Sequence, residues 1–408
     1  MVTTFVVGLL LVVAPGPAWD WPQWRGSNRD GAVGAGAGIR TWPDALERRW
    51  RTEVGTGQSS PVVAGSVVFL FSREGDKEVA RALDLRTGAV HWRQEYQAPY
   101  RVYPGAASYG AGPKSTPVVD RGRLFTLGIS GILTCFDARD GRVLWQKDFA
   151  GRFPATAPPF GTSMSPMVVG GLLIVHAGGH DGGALIAFDP ESGEEKWSLA
   201  GDGPSYSSPI LASFGGAPQI VIQVHRKILG VDPTHGRLLW TLPFVTPCDQ
   251  NIVTPLLADG ILVVSSVDQG TLGIRVSRSG ASFVPKIAWN NPDVSMYMSS
   301  PVLARGRVLG LSHKKRGQFF ALDPAMGTVD WESEAGRGEN AAFVLAQGVV
   351  LALLGDGTLL VLPSDGPAFA PIRRYRVAES ATLAHPVPTA LGVLVKDEAG
   401  LSLFGWGA

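Results

Sequence analysis

A chain of 408 residues is longer than one hydrophobic core sustains, about 250–300 residues, so it is either several domains or an array of repeats. Hydrophobic residues at 45% against 17% charged exclude a disordered chain, and 36 Lys and Arg against 35 Asp and Glu leave no overall field to draw nucleic acid or an acidic membrane. The two cysteines, Cys135 and Cys248, exclude a disulfide framework and a four-cysteine zinc site.

The first element is an apolar run from Phe5 to Val13, too short to span a bilayer but of the length of a signal-peptide core, followed by the small residues Gly16-Pro17-Ala18. It predicts a signal peptide over 1–18 and export to the periplasm or cell envelope, with a buried N-terminal strand as the alternative. No transmembrane span is expected elsewhere. The next segment, 19–45, contains WPQWRGSNRDG from Trp21 to Gly31 and reads as a Trp-rich strap lying on the domain that follows. Leu46 to Val54, LERRWRTEV, has the pattern of a strand carrying one large aromatic residue, Trp50.

From there one stretch is written five times: ALDLRTGAVHW ending at Trp92, CFDARDGRVLW at Trp145, AFDPESGEEKW at Trp197, GVDPTHGRLLW at Trp240 and ALDPAMGTVDW at Trp331. A degraded copy ends at Trp289. Spacings of 53, 52, 43, 49 and 42 residues between these tryptophans suit four short strands per repeat, as in propeller blades. The six repeats ending in these tryptophans open on Ser-Pro or Thr-Pro, tolerable because the first residue of a strand need not donate to the ladder. Asp84, Asp137, Asp189, Asp232 and Asp323 fall where a third strand ends, placed to cap a turn, and the Gly four residues later supplies a positive φ. The Trp then begins its work as a docking group: a flat apolar body to pack on the next repeat and one N–H for a main-chain carbonyl. Blades are read at 59–95, 115–149, 162–199, 207–243, 253–291, 299–334 and 340–377, the seventh with Tyr375 in place of Trp. The last, from His385, has three strands, and Leu46 to Val54 supplies the fourth. The expectation is an all-β, eight-bladed propeller over 46–408, its last blade closed by an N-terminal strand, which removes open sheet edges.

These repeats resemble the tryptophan-docking repeats of the quinoprotein-type propeller family, which holds pyrroloquinoline quinone (PQQ) dehydrogenases and BamB-like outer-membrane assembly scaffolds. The leader is similar to that of exported bacterial PQQ-like repeat proteins. The resemblance implies two functions. The dehydrogenases use a vicinal cysteine pair and a calcium held by Glu, Asn and Asp. Cys135 and Cys248 are not vicinal, and no such set transfers residue by residue, so no catalytic residue is assigned. The resulting expectation is a non-catalytic, monomeric envelope scaffold without cofactor. A PQQ–calcium oxidoreductase is the alternative.

Up-and-down strand order puts the interblade loops and the second-to-third strand loops on one face. That face is elaborated, whereas the opposite one has minimal turns, and long loops on a rigid scaffold carry function. The candidate binding face comprises Tyr103, Tyr109, Tyr206 and Tyr297, Asn251, the pair His180 and Asp181, and two basic loops, His225-Arg226-Lys227 and His313-Lys314-Lys315-Arg316. A protein partner or small anionic ligand is expected there. His176, His180 and Asp181 read as a solvated turn, with no metal site.

Overall fold

The computed structural model describes residues 18–36 and 42–407; all of the expected signal segment except Ala18 lies outside them. The described strands form eight four-stranded antiparallel sheets. We number the blades by their strand residues: blade 1 is 62–97, blade 2 is 118–147, blade 3 is 167–201, blade 4 is 210–243, blade 5 is 256–291, blade 6 is 302–332 and blade 7 is 341–376. Blade 8 combines 387–405 with the N-terminal strand Glu47–Glu53, which pairs with Gly400–Gly405 from Glu47 opposite Gly405 to Glu53 opposite Gly400. The chain is an eight-bladed propeller.

The core lies between blades. Middle strands such as Val67–Glu74, VVFLFSRE, are covered on both faces by neighbouring blades, so they read as apolar runs, whereas the outer strand Val90–Gln97 buries its Trp and exposes most other residues. One apolar cluster joins blades 7, 8 and 1 and includes Trp50; another joins blades 2, 3 and 4.

The repeated motif makes the joints. Asp84 accepts from the amides of Arg86 and Thr87, Asp189 from those of Glu191 and Ser192, and Asp323 from those of Ala325 and Met326. Asp137 and Asp232 each accept from the amide two residues on. The glycine does more than turn the chain. A Cβ on Gly141 would stand 2.5 Å from the Trp92 ring, and one on Gly236 2.4 Å from Trp197, so each turn is the seat for the tryptophan of the preceding blade. The seated indoles donate to carbonyls across the joint: Trp50 to Leu85, Trp92 to Ala138, Trp145 to Pro190, Trp197 to Pro233, Trp289 to Pro324 and Trp331 to Gly366, at 2.8–3.3 Å.

Trp240 departs from that scheme. Blade 5 has lost the Asp–Gly turn and runs its third and fourth strands on as one long hairpin, Gly270–Ser279 and Ser282–Asn291. With no seat to enter, Trp240 lies over Gly230 of its own blade and donates to Gln219 at 2.6 Å. The long hairpin reaches back to blade 4 instead, Arg278 donating to the Gly215 carbonyl at 3.1 Å.

Candidate functional site

The innermost strands begin beneath the elaborated face and enclose a central funnel of about 990 Å³, open solvent at the mouth included. All eight blades contribute, mostly through residues just before or within the Ser-Pro and Thr-Pro openings: Gln58, Lys114, Ser163, Ser208, Thr254, Ser300, Ala342 and His385. Tyr109, Tyr206, Tyr297 and Phe160 add an aromatic wall. No Asp or Glu is among the described lining residues. Lys114 donates to the Phe160 carbonyl at 2.5 Å, lies 5.6 Å from the Tyr109 ring centre, and is brought down to about 8 by burial. Its low pKa reflects a cation kept largely from water without a carboxylate beside it.

The funnel has a floor, and the leader supplies it. Trp21 pairs with Val63 of blade 1, Val119 of blade 2 donates to the Pro22 carbonyl, and Ala32 bridges to Leu345 of blade 7, so the segment enters from the face of short turns. Between these contacts it rises into the channel. Arg29 donates to Ser165, Pro166 and Pro209 carbonyls of blades 3 and 4 at 2.6–3.0 Å. Arg25 donates to the Ser300 and Pro301 carbonyls of blade 6. Trp24 donates to Thr254 Oγ1 of the blade 5 opening at 2.9 Å, and its ring stands 4.4 Å from that of His385 at blade 8. One short segment thus touches every blade. Both guanidiniums are buried; burial lowers Arg25 to about 10, and burial with Arg25 nearby lowers Arg29 to about 9. The leader is therefore a plug inside the ring, more than a strap laid across it.

The rim gathers part of what the sequence suggested. Tyr109, Tyr206 and Tyr297 line the funnel, and Tyr297 donates to Gln250 Oε1 at 2.5 Å. Tyr103 is half exposed and packs edge-on against Phe160 at 5.7 Å. His180 stacks on His225 across the joint between blades 3 and 4, with ring centres 4.2 Å apart, while Asp181 points to solvent. His176 is buried, with Nε2 3.0 Å from the Asp202 carbonyl, so the three residues of that loop do not converge. Asn251 is not a surface group: fully buried, it donates its side-chain amide to the carbonyls of Val224, His225 and Phe244 at 2.9–3.2 Å and clamps the loop between blades 4 and 5.

The basic loops are partly satisfied at home. Lys227 lies 3.3 Å from Asp202, Lys315 3.9 Å from Glu332, Lys314 donates to the Pro292 carbonyl and His313 Nε2 lies 3.2 Å from Asp268. Arg226, Lys315 and Arg316 are the exposed charges of the two loops. Lys315 and Arg316 hold φ of +55° and +63°, a left-handed conformation that non-glycine residues adopt at a strain cost, in a turn at the funnel edge.

Sequence reasoning missed Trp24, Lys114, Asp249 and His385. A signal was present. Contacts across adjacent blades recur at one repeat length: Phe160 with Tyr206 at 46 residues, Ser205 with Asn251 at 46 and His180 with His225 at 45. Laying the repeats on one another would have paired the histidines and grouped the residues before each Ser-Pro.

The comparisons with known proteins agree with this architecture. The chain is 23% identical over 370 residues to the outer membrane protein assembly factor BamB of Yersinia pestis, covering 86% of each chain. The crystal structure of BamB from Moraxella catarrhalis superposes with a TM-score of 0.64 at 16% identity, covering 88% of this chain and 98% of that one. The quinohemoprotein alcohol dehydrogenase from Comamonas testosteroni superposes with 0.68 at 15% identity, covering 96% and 81%. Those two likenesses establish the fold and do not choose between scaffold and enzyme. The family model for outer membrane protein assembly factor BamB matches residues 75–333, and with it the chain belongs to the BamB family of propellers.

Proposed function

We propose that this protein is a non-catalytic, exported scaffold of the cell envelope, which binds a protein partner or a small anionic ligand on the funnel face. The observation that carries the reading is the character of the funnel: closed below by Trp24, walled by aromatic and small polar groups, and lacking any carboxylate among its described lining residues. Calcium is a hard ion that takes six to eight oxygen ligands, carboxylates prominent among them, so this donor set does not fit a PQQ–calcium centre. Cys135 adds nothing to one: it is buried in blade 2 and its thiol is pushed up to about 12 by desolvation. What the funnel offers is a concave aromatic surface with a single partly desolvated cation, Lys114, at its wall and Arg226 and Arg316 at its rim.

Rim charges of this kind act on encounter rate and on salt dependence more than on total affinity. The test compares capture of envelope proteins by the parent chain with capture by R226E/R316E and by R121E/R305E, whose changes lie in short turns of the opposite face. The expected result is weaker capture by the first pair alone, most visible at low salt. Equal capture by all three chains overturns the assignment of the face. Substrate-dependent dye reduction on addition of PQQ and calcium overturns the non-catalytic reading.

A further inference from the structure

Three loops of the funnel rim bring together groups that no local spacing announces. His180 comes from the second-to-third strand loop of blade 3, His225 from the same loop of blade 4, and Asp249 from the turn Pro247–Asp249 between blades 4 and 5. One ligand-competent atom from each lies within 4.8 Å of the other two.

The hydrogen bonding fixes what these atoms are. His225 Nδ1 lies 3.0 Å from the main-chain carbonyl of His180, a contact that only an N–H satisfies, so Nδ1 carries the proton. The other nitrogen of that ring, Nε2, is buried and has no hydrogen-bond partner, yet stands 3.0 Å from an Asp249 carboxylate oxygen, out of line for a hydrogen bond. In the neutral ring this sets one acceptor against another. A positive centre between them removes the conflict, either a proton on Nε2 or a cation shared by both. His180 Nε2 is likewise buried without a hydrogen-bond partner. A proton on His225 would serve Asp249 and leave His180 idle; a metal ion uses all three groups.

The arrangement has further marks of a metal site. A main-chain carbonyl that receives Nδ1–H and leaves Nε2 free is the usual outer support of a metal-binding histidine. Two imidazoles with one carboxylate make a donor set suited to zinc-class ions, with a fourth position left to solvent or ligand. The Asp249 side chain is 39% exposed, which gives an ion a way in. Ligand atoms of a tetrahedral site with bonds near 2.0–2.1 Å stand roughly 3–3.5 Å apart. His225 Nε2 and Asp249 are already 3.0 Å apart, and His180, whose ring is now stacked on His225, would have to turn to direct its nitrogen at the shared ion. Tyr206, which lines the funnel, packs edge-on against His180 at 5.6 Å, so the site stands at the funnel rim.

We propose that His180, His225 and Asp249 bind one zinc-class divalent cation at the funnel rim, with the open coordination position available to an anionic group of whatever enters the funnel. The site stands on its own geometry and does not depend on the scaffold reading. The test uses the untagged full chain, stripped with a chelator. Zinc is titrated by calorimetry, and cobalt(II) is added as a spectroscopic probe. The expected result is one ion per chain, with the intense visible absorption of four-coordinate cobalt. D249N and H180Q are each expected to weaken zinc binding beyond the roughly 10- to 100-fold that loss of an outer-shell group costs. H235Q, at an exposed histidine beside Asp232, should leave it unchanged. Circular dichroism verifies folding, and the partly exposed Asp249 makes D249N the substitution least able to disturb it. No stoichiometric binding by the parent chain, or binding by D249N and H180Q equal to the parent's, overturns the proposal.

Discussion

Replacing Gly141 by Ala separates the two tasks of the glycine in the repeated turn. Its φ is +76°, and a Cβ there would stand 2.5 Å from Trp92 Cε3, closer than real Cβ contacts come. Gly122, in the short first-to-second strand turn on the same face of the same blade, has φ +75° with nothing within 4 Å of its Cβ position. Both substitutions carry the left-handed penalty, about 1–2 kcal/mol. Only Gly141→Ala also forces a docked indole out of its seat, and overpacking of this kind adds about 1–3 kcal/mol. The expected losses are therefore about 2–5 kcal/mol for G141A and about 1–2 kcal/mol for G122A, read as midpoint shifts in urea at unchanged slope. Trp92→Phe in the G141A background should recover part of the difference, because the smaller ring leaves room for the methyl. Equal losses from the two glycine substitutions, or strictly additive effects of G141A and W92F, would refute the seat and leave the glycine a turn residue alone.

Two further outcomes follow from the same packing. Removal of residues 1–54 takes away the plug and the outer strand Glu47–Glu53 and bares the Gly400–Gly405 edge, so the truncated chain should melt lower and, through the bared edge, scatter light; a chain that melts like the parent and stays clear contradicts blade closure. His176 is buried and held down to about 4 by desolvation, against about 6.5 in the unfolded chain. Between these values the unfolded chain binds the extra proton, so stability present above pH 6.5 is lost as pH falls toward 4, by about 3 kcal/mol for this residue. H176Q should flatten that part of the stability–pH curve, and a curve parallel to the parent's would remove His176 from the account.

The ring was legible because its joints are written in a local code. Asp, Gly and Trp at fixed spacing name the turn, the seat and the docking group. Blade 5 shows where the code stops: Trp289 was readable from its period, but the fate of Trp240 depends on a turn missing from the following repeat, a relation between two segments rather than a pattern within one. The plug was invisible for a different reason. Arg25 and Arg29 belong to no period, and their partners are main-chain carbonyls, which every residue offers, so no side-chain pattern marks them. Asn251 was misplaced because a polar residue in a long loop reads as exposed, whereas here it satisfies three buried carbonyls. The His180–His225–Asp249 group required a loop of blade 3, a loop of blade 4 and the connection between blades 4 and 5 to be set side by side.

The closing strand also imposes a schedule. Synthesis delivers Glu47–Glu53 first and its partner Gly400–Gly405 last, so this strand waits through the making of nearly the whole chain with its backbone groups unmatched. A strand kept waiting is a template for the wrong neighbour, and an apolar one would recruit other nascent chains. Its sequence, ERRWRTE, answers that hazard with five charged residues around a single Trp, both signs represented. Charge on this segment protects the unfinished ring, and its docking Trp takes effect only when the last strand arrives.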